Sequence, residues 1–235
     1  MGPRSDEHNS IYLPYELLSS VSSADWLKTH VPSEGKATPK MGISDIHCLA
    51  VLGLLVQWLY TGKYEELSGL SHEVYQDSRP RLGRRLDLDP RITMDWPVKA
   101  AILAWLLGEE LCVPEFQNHA ITRLFAALAR QSEHPQLTPG LYSFVCGNAE
   151  ESGELTCALE DLIVRDWGDA SVVDQEDLTE WAPVISGEDR FSKKFFEGSI
   201  LSLEQRREKA IMAEAYFVDG HKSTREPTPT VVRKE

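Results

Sequence analysis

No stretch of the chain holds the about 20 consecutive apolar residues that a helix needs to cross a bilayer. Positive charge is also scarce. Lys and Arg number 24 against 37 Asp and Glu, a net charge of -13, and that balance opposes binding to nucleic-acid backbones or anionic membranes. The four cysteines, Cys48, Cys112, Cys146 and Cys157, are widely spaced and lie in helical contexts. They read as reduced, mostly buried thiols rather than a disulfide framework. Zinc-type spacings are missing, with no C-x-x-C, H-x-x-x-H or H-E-x-x-H, and so are the glycine-rich phosphate loops G-x-G-x-x-G and G-x-x-x-x-G-K-[ST]. No catalytic residue, metal ligand or cofactor is therefore expected. The opening MGPRSDEHNS has no apolar h-region and no cleavage pattern, and a cytoplasmic or nuclear location is expected.

The most informative segment that is present is 44–64, SDIHCLAVLGLLVQWLYTGKY. Ile46, Leu49, Leu52, Val56, Leu59 and Tyr60 recur at helical steps, and Val51, Leu54, Leu55 and Trp58 fill most of the opposite side. This pattern predicts a helix buried nearly all round, the central helix of the domain. Ser44 or Asp45 caps its start, and Gly62 closes its end in the left-handed conformation.

Around it, residues 1–10 are polar and expected to be mobile. The segment 11–30 reads as two short helices split by serines, with Pro14 at a first helical position. A loop over 31–41 and a short strand at 41–43 lead into the central helix. Residues 65–97 form a long loop with Pro80, Pro90 and Pro97 and a basic group at Arg79, Arg81, Arg84 and Arg85. A helical hairpin follows. Val98, Ala101, Ile102, Trp105 and Leu106 mark its first helix over 96–110, and Phe116, Ala120, Ile121, Leu124, Phe125 and Leu128 mark its second from Pro114. Leu55, Leu59, Ile102, Leu106, Ile121 and Leu124 are expected to share one core. Further helices are predicted over 138–146, 153–166, 175–181 and 189–217, the last with a solvated face at Glu204, Arg207, Glu208 and Lys209. The tail, 218–235, lacks an apolar period and is expected to be disordered.

Candidate chemistry is thin. Glu109 and Glu110 are adjacent, so on a helix they point about 100 degrees apart and form a solvated helix end rather than a carboxylate pair. His47, Cys48 and Cys112 lack ligand spacing and read as core thiols with a surface histidine. The Arg79–Arg85 group lacks interleaved aromatics and reads as a loop tethered to the acidic surface of its own chain. Trp58, Trp105, Phe116 and Phe125 fall at helical spacing and default to core; any that faces outward is an interface anchor.

Two phrases carry a family resemblance. VQWLYTGKY, followed by AILAWLLGEELCVPEFQNHAITRLFAAL, resembles the second half of a BTB (POZ) domain of the filamentous-fungal type. The pattern matches at Trp58 to Gly62, then at Leu106, Leu107, Leu111, Val113, Pro114, Phe116, Gln117 and Asn118, and LYSFVCGNAEESGELTCALEDLIV resembles the helical extension of such proteins. The family's two leading strands have no counterpart here. The resemblance thus implies a mostly α fold: a BTB/POZ-like helical core with a reduced β-sheet over 11–131, then a C-terminal helical extension over 132–217. It further implies a non-catalytic protein-interaction module, self-associating as a homodimer or carrying substrates to a cullin scaffold of a ubiquitin ligase. The interface candidates it points to are Trp58, Tyr60, Thr61, Phe116, Gln117, Asn118 and Arg123, the last as an exposed position on the second hairpin helix. Two other readings stay open: an enzyme with a loop-covered carboxylate site, and a transcription-associated regulator.

Overall fold

Residues 96–108 are buried without a break, so more than three turns of one helix are wrapped on every side by the rest of the chain. The computed structural model describes residues 15–22, 49–66, 94–149, 153–187 and 189–219, and helix accounts for most of them. In order these are α1 (Tyr15–Val21), α2 (Leu49–Thr61), α3 (Trp96–Glu110), α4 (Pro114–Leu128), α5 (Pro139–Asn148), α6 (Glu154–Asp166), α7 (Leu178–Gly187), α8 (Asp189–Ser199) and α9 (Leu203–Glu208), then a 3-10 turn, Ala213–Tyr216. Among the described residues no β-strand forms, and Leu137 and Val173 make an isolated parallel bridge. The fold is mostly α.

The central helix is α3, not α2, and this corrects the expectation drawn from 44–64. In α2 the side chains of Gln57 and Tyr60 face solvent together with Gly53, a stripe at i, i+4 and i+7. Val51, Leu55 and Trp58 are buried on the other side. Between Trp96 and Gly108, by contrast, Lys99 is the single charged residue, so no stripe is left for water. Pro97, counted with the preceding loop in the sequence reading, lies in the first turn of α3, where its missing N–H costs nothing.

The α3–α4 hairpin is as expected, and its turn has a defined cause. Val113 N–H donates to Gly108 O (2.8 Å) and Cys112 N–H to Glu109 O (3.1 Å), the bond pair of a Schellman motif. Cys112 holds the left-handed position, φ 52°, that glycine usually takes there. Pro114 then starts α4, which turns Phe116, Ala120, Ile121 and Leu124 onto α3. Of the six residues expected to share a core, five are buried, and Leu59 packs against them half-buried.

One apolar cluster runs on from the hairpin into the extension, through Leu141, Val145, Leu155, Leu159, Leu162, Trp181 and Phe191. Thr138 caps α5 by accepting from Leu141 N–H (3.0 Å). The helix predicted over 175–181 lies at Leu178–Gly187, because the Asp177 carboxylate accepts from Thr179 N–H (2.9 Å) and sets the start there. The helix predicted over 189–217 is three pieces. α8 ends at Ser199, Ser202 and Gln205 form a capping box that opens α9, and the 3-10 turn follows. Arg206 ties these breaks down: its guanidinium donates to Gly198 O (3.3 Å) and Leu201 O (2.9 Å) at the end of α8, and to Arg165 O (3.4 Å) and Trp167 O at the end of α6. Val218, assigned to a disordered tail, is held instead by Asn118, whose Oδ1 accepts from Val218 N–H (2.6 Å) while its Nδ2 donates to Val218 O (3.1 Å). The caps at Ser44 and Asp45, the strand at 41–43, Pro14, the Arg79–Arg85 group, His47, Cys48 and the chain from 220 on lie outside the described residues.

Two glycines test the packing. A Cβ on Gly108 would sit 2.7 Å from Gln117 Cγ and 3.2 Å from Gln117 N, whereas one on Gly53 meets nothing within 4 Å. Gly108→Ala is expected to lower stability by about 1–2 kcal/mol, overpacking outweighing helix propensity. Gly53→Ala is expected to raise it by about 0.5–1 kcal/mol. Denaturant titrations that give the two the same sign would contradict the close approach of α3 and α4.

Candidate functional site

The surface expected to matter begins where α2 ends. Gly62, at φ 71°, closes the helix with a bond from its N–H to Trp58 O (2.7 Å), and leaves Tyr60 and Thr61 on the outside. Tyr60 is 64% exposed. The Thr61 hydroxyl is engaged locally, within 2.7 Å of Gln57 O and 2.6 Å of Lys63 O. Of the sequence candidates, Tyr60 and Thr61 are thus the two that reach solvent fully. Trp58, Phe116 and Gln117 lie in the core, with Trp58 against Phe116 at a ring distance of 5.3 Å, and they hold α2 on α4 rather than face a partner. Asn118 is spent on Val218.

Arg123 also departs from the expectation of an exposed position. Its Nε and Nη2 donate to the Glu66 carboxylate at 2.9 and 2.5 Å, and Arg130 approaches the same carboxylate at 3.5 Å. The Glu66 side chain is only 1% exposed, so this is a pin joining the segment after α2 to α4. Beside it, His119 Nε2 accepts from Tyr64 N–H (3.3 Å) and the two rings meet edge-on at 4.7 Å. Burial, then the Arg123 charge, pulls the His119 imidazole below its ordinary value, against the pull of the Tyr64 bond and of Glu66. Burial pushes the Tyr64 phenol up.

The extension holds a second buried carboxylate that sequence reasoning missed. Glu160 on α6 accepts from Tyr142 Oη of α5 (3.2 Å), Arg190 Nη2 of α8 (2.7 Å) and Lys194 Nζ of α8 (3.0 Å). Lys194 also reaches Asp161 (2.9 Å), whose other oxygen accepts from Tyr216 Oη (2.6 Å). Burial raises both phenols. Arg190 and Lys194 stand four apart, which places two cations on one helix face and was the one signal available; nothing local names their partner. Cys112, Cys146 and Cys157 form no disulfide and are half-buried, less covered than expected. Glu109 and Glu110 are half-buried at the end of α3.

Large apolar side chains also stand outside the core. Phe196 and Ile200, four residues apart at the end of α8, are 63% and 84% exposed, and Leu201 beside them is exposed too. The predicted single helix over 189–217 hid this edge, since it counted Ile200 and Leu201 inside a helix. Among the described residues, no group of three or more His, Cys, Asp or Glu side chains is placed to hold a metal ion, and no helix is long and apolar enough to cross a membrane. No protein-family model matches the chain, and no curated protein or solved structure matches it.

The His119 contact gives a pH signature. Above the unfolded value of 6.5 both states are neutral there and the contribution is complete. As pH falls through that value the unfolded chain takes up a proton that the folded one does not, so stability drops until the lower folded value is passed. His119→Gln keeps an acceptor for Tyr64 N–H and removes the titration. It is expected to lose less stability than wild type between about pH 7 and about pH 5 by urea titration. Equal losses would show that His119 is uncoupled from folding.

Proposed function

We propose that the chain is a non-catalytic protein-interaction module of BTB-like design, an adaptor that associates with a second copy of itself or with a cullin-type scaffold. Its contacts are made by Tyr60 and Thr61 at the end of α2 and by the apolar edge Phe196, Ile200 and Leu201. The observation that carries this reading is that edge. Residues of this size are normally inside, and here Phe196, in the last turn of α8, and Ile200, just past its end, are both mostly in contact with water. The polar interior supports it as well: Glu66 and Glu160 each meet two cations across elements, and those carboxylates are spent on holding helices together. An exposed tyrosine or phenylalanine is the usual anchor of a protein contact.

The test is a pair of surface variants, Tyr60→Ala and the double change Phe196→Ser with Ile200→Ser, compared with wild type by sedimentation velocity and by affinity capture followed by mass spectrometry. The expected outcome is that the double variant loses self-association or its specific partners, at least about tenfold in affinity, while its thermal midpoint stays within a few degrees of wild type. Unchanged association in both variants, or a substrate turned over by the purified protein, would overturn the reading.

A further inference from the structure

A second surface has a different chemistry. Where α6 ends, a shallow cleft of ≈ 330 Å³ opens between the hairpin and α9. Its apolar wall is Leu128, Val172 and Ala210, and its polar wall is Arg165, Arg207 and Lys209, with Asp166 beneath. Asp166 has a side chain only 3% exposed and acts as the anchor. Its Oδ2 accepts from Arg165 Nε (3.0 Å) and Nη2 (2.6 Å), and its Oδ1 from Arg207 Nε (2.9 Å), while Arg207 Nη2 goes to Asp169 (2.7 Å). One buried carboxylate thus splays two guanidiniums at the rim. The Nη1 groups of both arginines, and the Lys209 ammonium, make no hydrogen bond to any described residue.

The negative end of the α6 dipole would ordinarily repel an anion here. Arg206 removes that objection by covering the carbonyls of Arg165 and Trp167 with its own charge. Among the lining residues three cations, Arg165, Arg207 and Lys209, meet the one carboxylate of Asp166, with Asp169 beside Arg207 and Glu204 acting on Arg206 and Arg207, so cations outnumber carboxylates in the cleft itself on a chain whose net charge is -13. A nucleic-acid backbone needs a run of cations along a face, and here they are confined to one cleft with an apolar wall. A single carboxylate suits two planar guanidiniums with donors to spare, and an aliphatic neighbour suits Leu128 and Val172.

We propose that this cleft binds an acidic peptide segment of a partner protein, taking a Glu or Asp carboxylate between Arg165, Arg207 and Lys209 and an adjacent aliphatic side chain against Leu128 and Val172. The proposal rests on the interaction-module reading and gives it a second contact, separate from the Phe196–Ile200 edge.

The experiment titrates the full-length chain into a fluorescein-labelled hexapeptide, Glu-Leu-Glu-Glu-Leu-Glu, followed by fluorescence anisotropy at low salt. A matched peptide with Gln for every Glu serves as the comparison. The Glu peptide is expected to bind at least about tenfold tighter than the Gln peptide, about the worth of one charge-assisted hydrogen bond, and to weaken steeply with added salt. Lys209→Glu, and the milder Lys209→Gln, are expected to abolish most of that preference with no change in thermal midpoint. Equal affinity for both peptides, no binding of either, or full binding by Lys209→Glu would overturn the site. Displacement of the peptide by an equal concentration of inorganic phosphate would also overturn it, as a general anion site. If the peptide fails while the Phe196→Ser, Ile200→Ser variant still loses its partners, the cleft alone is refuted and the module stands.

Discussion

The constraint on which the rest of the structure depends is the unbroken burial of α3 from Trp96 to Gly108. A helix with one charged residue between Trp96 and Gly108 has no face that water favours, and every neighbour gains by covering it. Each fully buried Leu, Ile or Trp on it is worth roughly 1.5–3 kcal/mol relative to exposure. α4 is folded back on it by the Cys112 turn, α2 lies across it through Val51, Leu55 and Trp58, and Asp95 at its start takes a bond from its N–H to Gln136 Oε1 (2.8 Å) in the connection to the extension. The glycine at position 108 belongs to this same constraint, because the hairpin closes around a missing side chain.

Buried charge has a different part. Glu66, Glu160 and Asp166 sit on or beside helices that already pack through apolar contacts, and each receives cations from another element: Arg123 and Arg130 of α4 and its end, Arg190 and Lys194 of α8, Arg207 of α9. Such pairs add little net stability over apolar substitutes, yet losing one partner leaves a carboxylate stranded at a cost of about 3 kcal/mol or more. They act as register pins. Arg206 does the same with backbone carbonyls at two helix ends. These three buried carboxylates are thus spent on internal partners, and the surfaces proposed for contact with other molecules are the α2 end, the Phe196–Ile200 edge and the cleft beside Lys209.

The hairpin was legible because its signals are local, Pro114 at a first turn and the four-residue spacing of Phe116, Ala120 and Leu124, and the end of α2 was legible for the same reason, at a Gly62 that takes the left-handed conformation. The rank of the helices was misread although the information was present. Gly53, Gln57 and Tyr60 form a polar or bare stripe in α2, whereas the segment from Trp96 to Gly108 has none, and the second pattern is the one that demands burial. The break of 189–217 was signalled by Gly198-Ser199 and by the Ser202 to Gln205 capping box, which were outweighed by the periodicity on either side. The candidate surface was legible only at Tyr60 and Thr61. Arg123, Gln117 and Asn118 look like surface groups by residue type, and only the fold brings Glu66, the α3–α4 crossing and Val218 to meet them. Glu160 with Arg190 and Lys194, and Asp166 with Arg207, are contacts between elements 30 or more residues apart, and no spacing rule reaches so far.

The central claim is that one buried helix holds the hairpin and the extension in a single cooperative unit. Native-state hydrogen exchange measures it directly, since amides that open only through global unfolding share one free energy. The account predicts that residues 100–107 of α3 are the slowest to exchange and that residues 158–163 of α6 exchange at the same free energy. Amides of α2 slower than those of α3, or α6 opening at a distinctly lower free energy, would contradict it.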